Sequence, residues 1–478
     1  MSRSISEVTP YLEVARRLLP STTPTHLIRP VALLVPHAGY YYSGLCAGSA
    51  YNKVVPYREE IREVILLCTH HFGARDDGVI AQERDPTLFE REHSYGNNIS
   101  FIREVLPGAR VRAFLLGHAT PVDGFGDEVA RMVGSASGSG TLLVGTTDLT
   151  HFGAEYRNTE FGEVPQSDAN AHEDRVITGL VNGDPHLLAE GLRDRRVNAC
   201  GRRVLQVMTH VANRMGWTGV VTCYHDSVYL SGHHVPVEDR DRSTLIDMMA
   251  VAPRRPDAFV RYVAVVFGVP TPATATAPQR PVFEDLYLLS VVRSVVENGI
   301  LRPGGGALRF PTWTPWSRRA NGVFVTVRDP ASRGGRVRAC IGRYETPGRT
   351  TMQNCIVSAE GCIADAETRW RRPLRSTDVG TLVYEVSLLE PEAQWREFPA
   401  TDVARHYHRQ DNSGIILHIP RRGNESVATF LPSVWQEHPE WSVEDLMAEL
   451  SEKATGDPEA WRSPGSRVRI YRTETLTT

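Results

Sequence analysis

The chain has no close CxxC pair, no long apolar run and almost no charge imbalance, and each absence excludes something. Its seven cysteines (46, 68, 200, 223, 340, 355 and 362) are odd in number and widely spaced. That argues against a disulfide framework and fits a reducing, cytoplasmic setting. No stretch reaches the roughly 18 apolar residues of a membrane helix, and the N-terminus lacks a signal-like apolar core. A net charge of −3 gives no electrostatic support for nucleic-acid binding. The expectation is a protein of small-molecule chemistry, not of membranes or nucleic acids.

What is present is a repeated layout in the first half. Val31–Gly44 (VALLVPHAGYYYSG) is an apolar run that stops at Pro36 and delivers His37 into a turn marked by Gly39. Glu63–Cys68 (EVILLC) leads into Thr69-His70-His71, and Thr141–Thr147 (TLLVGTT) leads into Asp148-Leu149-Thr150-His151. Three expected strands therefore end in imidazole, at the sheet edge where open α/β folds gather ligands. Asn198-Ala199-Cys200-Gly201-Arg202 precedes a helical pattern carrying Val204, Val207, Met208 and Val211 on one face. A cysteine at such a helix start feels the positive dipole end, which favours thiolate. Imidazole with thiolate suits iron, zinc or copper and does not suit magnesium or calcium. A single histidine after a strand is commonly an ordinary turn residue; three at equivalent positions make a metal or acid–base site the leading reading.

The 478-residue length favours two domains. A Pro/Thr/Ala stretch, VPTPATATAPQRP at Val269–Pro281, reads as a semi-stiff linker. Before it, Phe259–Phe267 is apolar enough for a strand or a closing helix; after it, Leu286, Leu289, Val292 and Val296 begin a fresh helical face. The expected division is 1–268, a linker at 269–282, and 283–478.

PHAGYYYSG, THH, TTDLTHFG and NACGRRVLQ, in that order, resemble the Memo family over roughly residues 28–250. The resemblance implies a fold like that of class III extradiol dioxygenases, a central sheet flanked by helices. It also implies a metal held by His37, His70 and Cys200, with Asp148, His151 and His93 at the pocket. Fe(II) is the expected ion, with zinc or copper as alternatives. The implied activity is oxygenase-like, with O₂ and a small aromatic ring as substrates, His151 or His93 transferring protons, Asp148 orienting an imidazole and Tyr40 or Tyr41 closing the site. The alternatives are a metal-dependent non-oxidative enzyme and a non-catalytic scaffold. The chain departs from the family where Gly96 replaces a glutamate after His93-Ser94, and where Cys68-Thr69 replaces a small-Pro-Ser.

The second half resembles the AMMECR family over roughly residues 283–475, through GVFVTV (322–327), VRACIG (337–342), ETRW (367–370), YEVSL (384–388) and LPSV (431–434). An α+β fold is implied. Cys340 is either a reactive thiol or a small buried strand residue; without a matched base, the buried residue is the default. Arg338, Glu367 and Arg369 would form a polar lining if they converge, and Trp313, Trp316, Trp370 and Trp435 would line a pocket or fill a core. The two families occur together in bacterial AmmeMemoRadiSam systems, which implies a radical-SAM protein as partner. The radical-SAM motif CxxxCxxC is absent from this chain.

Overall fold

In the computed structural model, residues 7–18, 27–73, 77–134, 140–157, 165–193, 197–227, 258–270, 282–301, 303, 321–331, 335–344, 346–421 and 423–478 are described. The chain forms two compact units, residues 1–298 with 302–315, and residues 299–301 with 316–478. The helix Val282–Leu301 thus groups largely with the first unit. Of the expected linker, Val269 and Pro270 end a strand and 271–281 lie outside the described residues.

The first unit is built on a mixed sheet flanked by helices. Its strands are β1 (Leu27–Val35), β2 (Glu63–Thr69), β3 (Val79–Ala81), β4 (Arg110–Leu116), β5 (Thr141–Thr146), β6 (His151–Gly153), β7 (Thr218–Asp226) and β8 (Ala258–Pro270). The spatial order is β3-β4-β2-β5-β1-β8-β6, with β7 also paired to β8. The four neighbours β4, β2, β5 and β1 are parallel, and all other pairings are antiparallel. Parallel strands covered on both faces read as continuous apolar runs, as β1, β2 and β5 do. Leu33, Leu34, Val64, Leu66, Leu143 and Val144 are fully buried. Because β1, β2 and β5 share one direction, the residues after all three emerge at one edge. The apolar stretch before the linker is strand β8, not a helix.

Two helices seat the site against this sheet. Arg202–Met215 buries Val204, Leu205, Val207, Met208, Val211 and Ala212, a stripe of helical period. Each large member contributes roughly 1.5–3 kcal/mol of burial. The helix ends at Gly216, whose φ of 67° is the left-handed cap. Its start lies directly on the end of β5: a Cβ on Gly201 would come within 2.5 Å of Thr147, and the Gly201 N–H donates to Thr147 Oγ1 at 2.9 Å. The second helix, Tyr40–Tyr51, begins immediately after Gly39, so YYYSG is helix and not loop. Its small residues Gly44 and Gly48 let it approach the helix Thr9–Leu18 closely, with Gly44 against the Tyr11 ring.

The second unit holds a separate antiparallel sheet of β9 (Val323–Arg328), β10 (Val337–Arg343), β11 (Val383–Leu389), β12 (Arg396–Pro399), β13 (Ser413–Arg421), β14 (Asn424–Phe430) and β15 (Arg467–Thr477). Its order is β10-β9-β11-β15-β13-β14, with β12 on β15. The helix Thr351–Thr368, opened by a Thr350/Gln353 capping box, packs on β9 and β10. A core around Ile415, Leu417, Trp435, Leu446, Leu450, Trp461 and Val468 fills the far end. Trp435 is therefore core, and Trp313 and Trp316 lie outside the described residues.

Arg338 joins an ion network in this unit. Its guanidinium donates to Asp329 Oδ1 at 2.8 Å and Asp378 Oδ2 at 3.3 Å, and Arg372 donates to Asp329 Oδ2 at 2.8 Å. Burial alone would raise the Asp329 carboxyl; the two arginines outweigh it and hold it below the ordinary carboxylate value. A depressed folded pKa stabilises above the unfolded value, about 3.9, and that stability is lost as pH falls through the folded value. Asp329→Asn takes the carboxylate from partly exposed Arg372 and one of the two carboxylates from buried Arg338, and should cost about 1–3 kcal/mol. Denaturant melts of the full chain at neutral pH check this, and the deficit relative to wild type should shrink below about pH 4.

Candidate metal centre

The edge formed by β1, β2 and β5 gathers His37, His71, Asp148, His151 and Cys200. One ligand atom from each of His37, His71 and Cys200 lies within 4.8 Å of the others, and the same holds for Asp148, His151 and Cys200. The His37 Nε2 to Cys200 Sγ distance is 3.1 Å. His37 is fully enclosed. Its Nδ1 meets Thr146 Oγ1 at 3.1 Å, and its backbone N–H donates to Asp148 Oδ1 at 2.8 Å. Burial, then the neighbouring His71 and His93, push His37 well below the ordinary histidine value. The neutral imidazole is the form that binds a metal.

The structure brings His71, not His70, to His37 and Cys200. Side chains of successive residues leaving a strand point to opposite sides, so two adjacent histidines cannot both face one point. His70 is buried with its Nδ1 3.6 Å from Asp77 Oδ2, against Gly73. His71 is held from behind by Glu92, whose carboxylate accepts from the His71 backbone N–H at 2.9 Å and meets its Nδ1 at 2.6 Å. Burial would raise Glu92, and these His71 bonds outweigh it, holding the carboxyl at about 2. With Nδ1 engaged, Nε2 is the nitrogen left for a metal, the carboxylate–histidine arrangement of metal sites. Glu92→Gln should therefore weaken metal binding by about 10–100-fold without removing a ligand, measured by competition with a chelator.

Glu92 escapes a sequence reading because it sits inside the charged run EREHS. It also caps the helix His93–Val105, accepting from Ser94 N. That helix buttresses the site: Ser94 Oγ donates to Thr69 O at 2.8 Å, and Asn97 Nδ2 donates to the carbonyls of His37 and Ala38 at 2.7 and 3.0 Å. His93 is exposed and stacks on the His71 ring at 4.1 Å, with its Nδ1 3.5 Å from Glu92. His93 thus lies beside the His37, His71 and Cys200 group.

On the other side, the Asn198 amide clasps the His151 backbone, accepting its N–H at 2.8 Å and donating to its carbonyl at 3.0 Å. The His151 Nδ1 donates to Leu149 O at 2.8 Å, which fixes the proton there and leaves Nε2 as the basic nitrogen. Buried Glu173 supports the turn by accepting from the Thr150 N–H and the Tyr224 hydroxyl. Asp148 is buried, and burial raises its carboxyl. It orients His37 through the backbone and stands 3.9 Å from Nε2.

Two expectations fail on burial. Cys200 precedes the helix start by two residues, and burial followed by the adjacent Asp148 pushes its thiol up, against the dipole. A metal would have to displace that proton, as thiolate ligation requires. Tyr40 does not face the site as a catalytic group. Its hydroxyl donates to Asn97 O at 3.2 Å and its ring packs edge-on against Phe101, which makes it a strut between two helices.

The donor set fits a borderline-soft metal: two imidazoles, one of them kept neutral by burial, one thiol, and a carboxylate behind the second imidazole. Fold and site together define a mixed α/β protein with a histidine–thiol centre at the carboxyl edge of its sheet. Residues 11–84 match the family model described as Memo-like protein, and residues 289–476 match AMMECR1. The chain thus carries a Memo-like match toward its N-terminus and an AMMECR1 match across most of its second half.

Relatives match about two fifths of this chain. A MEMO1 family protein from Caldivirga maquilingensis is 24% identical over 226 residues, 41% of this chain and 75% of its own length. One from Thermotoga maritima is 26% identical over 213 residues, covering 38% and 72%. Protein MEMO1 of Xenopus tropicalis is 24% identical over 228 residues, covering 40% and 74%. The crystal structure of an uncharacterized protein from Pyrococcus horikoshii aligns with a TM-score of 0.34 at 24% identity, over 40% of this chain and 89% of that one. Among the described residues, no helix is long and apolar enough to cross a membrane.

Proposed function

We propose that the Memo-like domain is a metal-dependent, oxygenase-like enzyme acting on a small, phenol- or aminophenol-like substrate, with Fe(II) held by His37, His71 and Cys200. The observation that carries this reading is the meeting of those three side chains at one sheet edge, with Glu92 behind His71. When bound, the metal would supply the site at which substrate oxygen and O₂ are brought together and electrons exchanged. The chain's own groups do the rest. His151 Nε2 takes the proton of the substrate hydroxyl and later returns it, because its Nδ1 proton is committed to Leu149 O. His93, exposed beside His71, is the second proton carrier on the solvent side. Asp148 keeps His37 in place and balances charge that builds up on either imidazole.

The test is elemental analysis of anaerobically purified protein, with O₂ uptake measured on catechols and aminophenols. Stoichiometric iron with substrate-dependent uptake supports the reading. A second reading rests on Cys200: a thiol ligand also suits zinc, with the ion polarising a carbonyl or activating water. Stoichiometric zinc without uptake would replace the first reading by this one, and sub-stoichiometric metal would leave a binding scaffold.

A further inference from the structure

The AMMECR1 domain contains a cavity of about 300 Å³, at the lower end of the size of small-ligand pockets. It opens between the two edge strands of the second sheet: Cys340 comes from β10 and Phe430 from β14, which stand at opposite ends of the strand order. Trp370 and Trp441 supply flat apolar walls, and Arg369 and Lys453 supply positive charge.

The charges are the informative part. Arg328, the other cation on the lining, is matched by Glu385 and Glu437 at 2.9 and 3.2 Å. Arg369 has no such match: its guanidinium lies over the Trp370 ring at 5.2 Å and forms no ion pair with a described carboxylate. Lys453 Nζ donates once, to Thr429 O at 2.8 Å, and sits 4.9 Å from the Phe430 ring centre, again without a carboxylate. An ammonium has three donors, so two remain. Burial and the neighbouring Arg369 both pull Lys453 below its ordinary value. Of the acids nearby, Glu437 on the lining is paired with Arg328, and Asp365 has Oδ2 committed to the Cys340 backbone N–H at 2.8 Å and to the Trp370 indole N–H at 3.0 Å. Those two bonds fix the thiol and one aromatic wall in position. The thiol itself accepts from Thr326 Oγ1 at 3.3 Å, and burial keeps it protonated.

Two cations at the rim of one cavity, neither paired with a described carboxylate, beside a thiol and over aromatic walls, suit an anion with a flat body. We propose that this cavity binds a small organic monocarboxylate, with its carboxylate between Arg369 and Lys453, its apolar body between Trp370 and Trp441, and Cys340 at its base. The mixed wall selects a carboxylate carried on an apolar body over inorganic phosphate, since most of the contact lies with rings. The proposal stands apart from the metal centre and does not depend on the reaction there.

The full chain is treated with N-ethylmaleimide in the presence of phenylacetate, phenylacetamide or inorganic phosphate, and labelling is mapped by peptide mass spectrometry. Cys200 and Cys340 are the partly exposed cysteines, so each reports on its own domain. Phenylacetate should slow labelling of Cys340 saturably and leave Cys200 unchanged, while phenylacetamide and phosphate protect far less. Arg369→Gln and Lys453→Met should each raise the half-protecting concentration about tenfold, the worth of one charged hydrogen bond. No protection at any soluble concentration, equal protection by the amide or by phosphate, protection of Cys200 alone, or unchanged protection in both variants would overturn the proposal.

Discussion

Replacing His71 by alanine should strip the first domain of its metal, whereas the same change at the adjacent His70 should leave metal stoichiometric. The expected drop for His71→Ala exceeds the roughly 10–100-fold that loss of an outer carboxylate costs, because a ligand itself is gone. Cys200→Ala should behave as His71→Ala does. The sheet persists in both, since its buried core is made of strand residues and not of ligands. His70→Ala opens a small buried gap and should cost about 1–3 kcal/mol of stability with metal retained. Metal analysis beside a denaturant melt reads both effects. Metal lost from His70→Ala and kept in His71→Ala would reverse the ligand assignment.

A second large effect is expected at His151. With Nδ1 bonded to Leu149 O and the backbone clasped by Asn198, the ring is presented rigidly, so its removal should change chemistry more than structure. Turnover in His151→Ala should fall by about 10²–10⁴-fold, the usual worth of a positioned acid–base group, with metal content unchanged. If that variant purifies without metal, His151 belongs among the ligands. If it keeps full turnover, His93 carries the proton transfer alone.

Much of this centre is legible in the chain because parallel strands write themselves as uninterrupted apolar runs. His37, Asp148 and His151 stand just past such runs, and three runs of one direction must end at one edge. The choice between His70 and His71 is not legible in that way. It depends on which side the chain faces on leaving β2, and on Glu92, twenty-one residues later, reaching back to hold one ring. Cys200 is legible as a helix-start cysteine, but the sign of its shift is not. Enclosure under Asp148 and Thr147 outweighs a dipole whose first turn begins two residues on. Tyr40 reads as a turn residue because Gly39 precedes it, and only packing against Phe101 shows that the helix has already begun. In the second half, Cys340 reads as a buried strand residue, and the sheet's two edges must be brought together before it lines a cavity.

Strand β8 is hydrogen-bonded on one side to β7 and on the other to β1 and β6, although it is the last described strand of its unit to be synthesised. His151 pairs with Val260 across that junction. A ribosome that has made the first 250 residues has therefore released every proposed metal ligand while β1 still has an open edge, an exposed template for wrong pairing. The centre can be completed only after about residue 267 clears the exit tunnel, when the AMMECR1 domain is already being translated. Arrested nascent chains ending before and after β8 should differ sharply in protease resistance, and the delay makes this interval the one in which the chain most needs a chaperone.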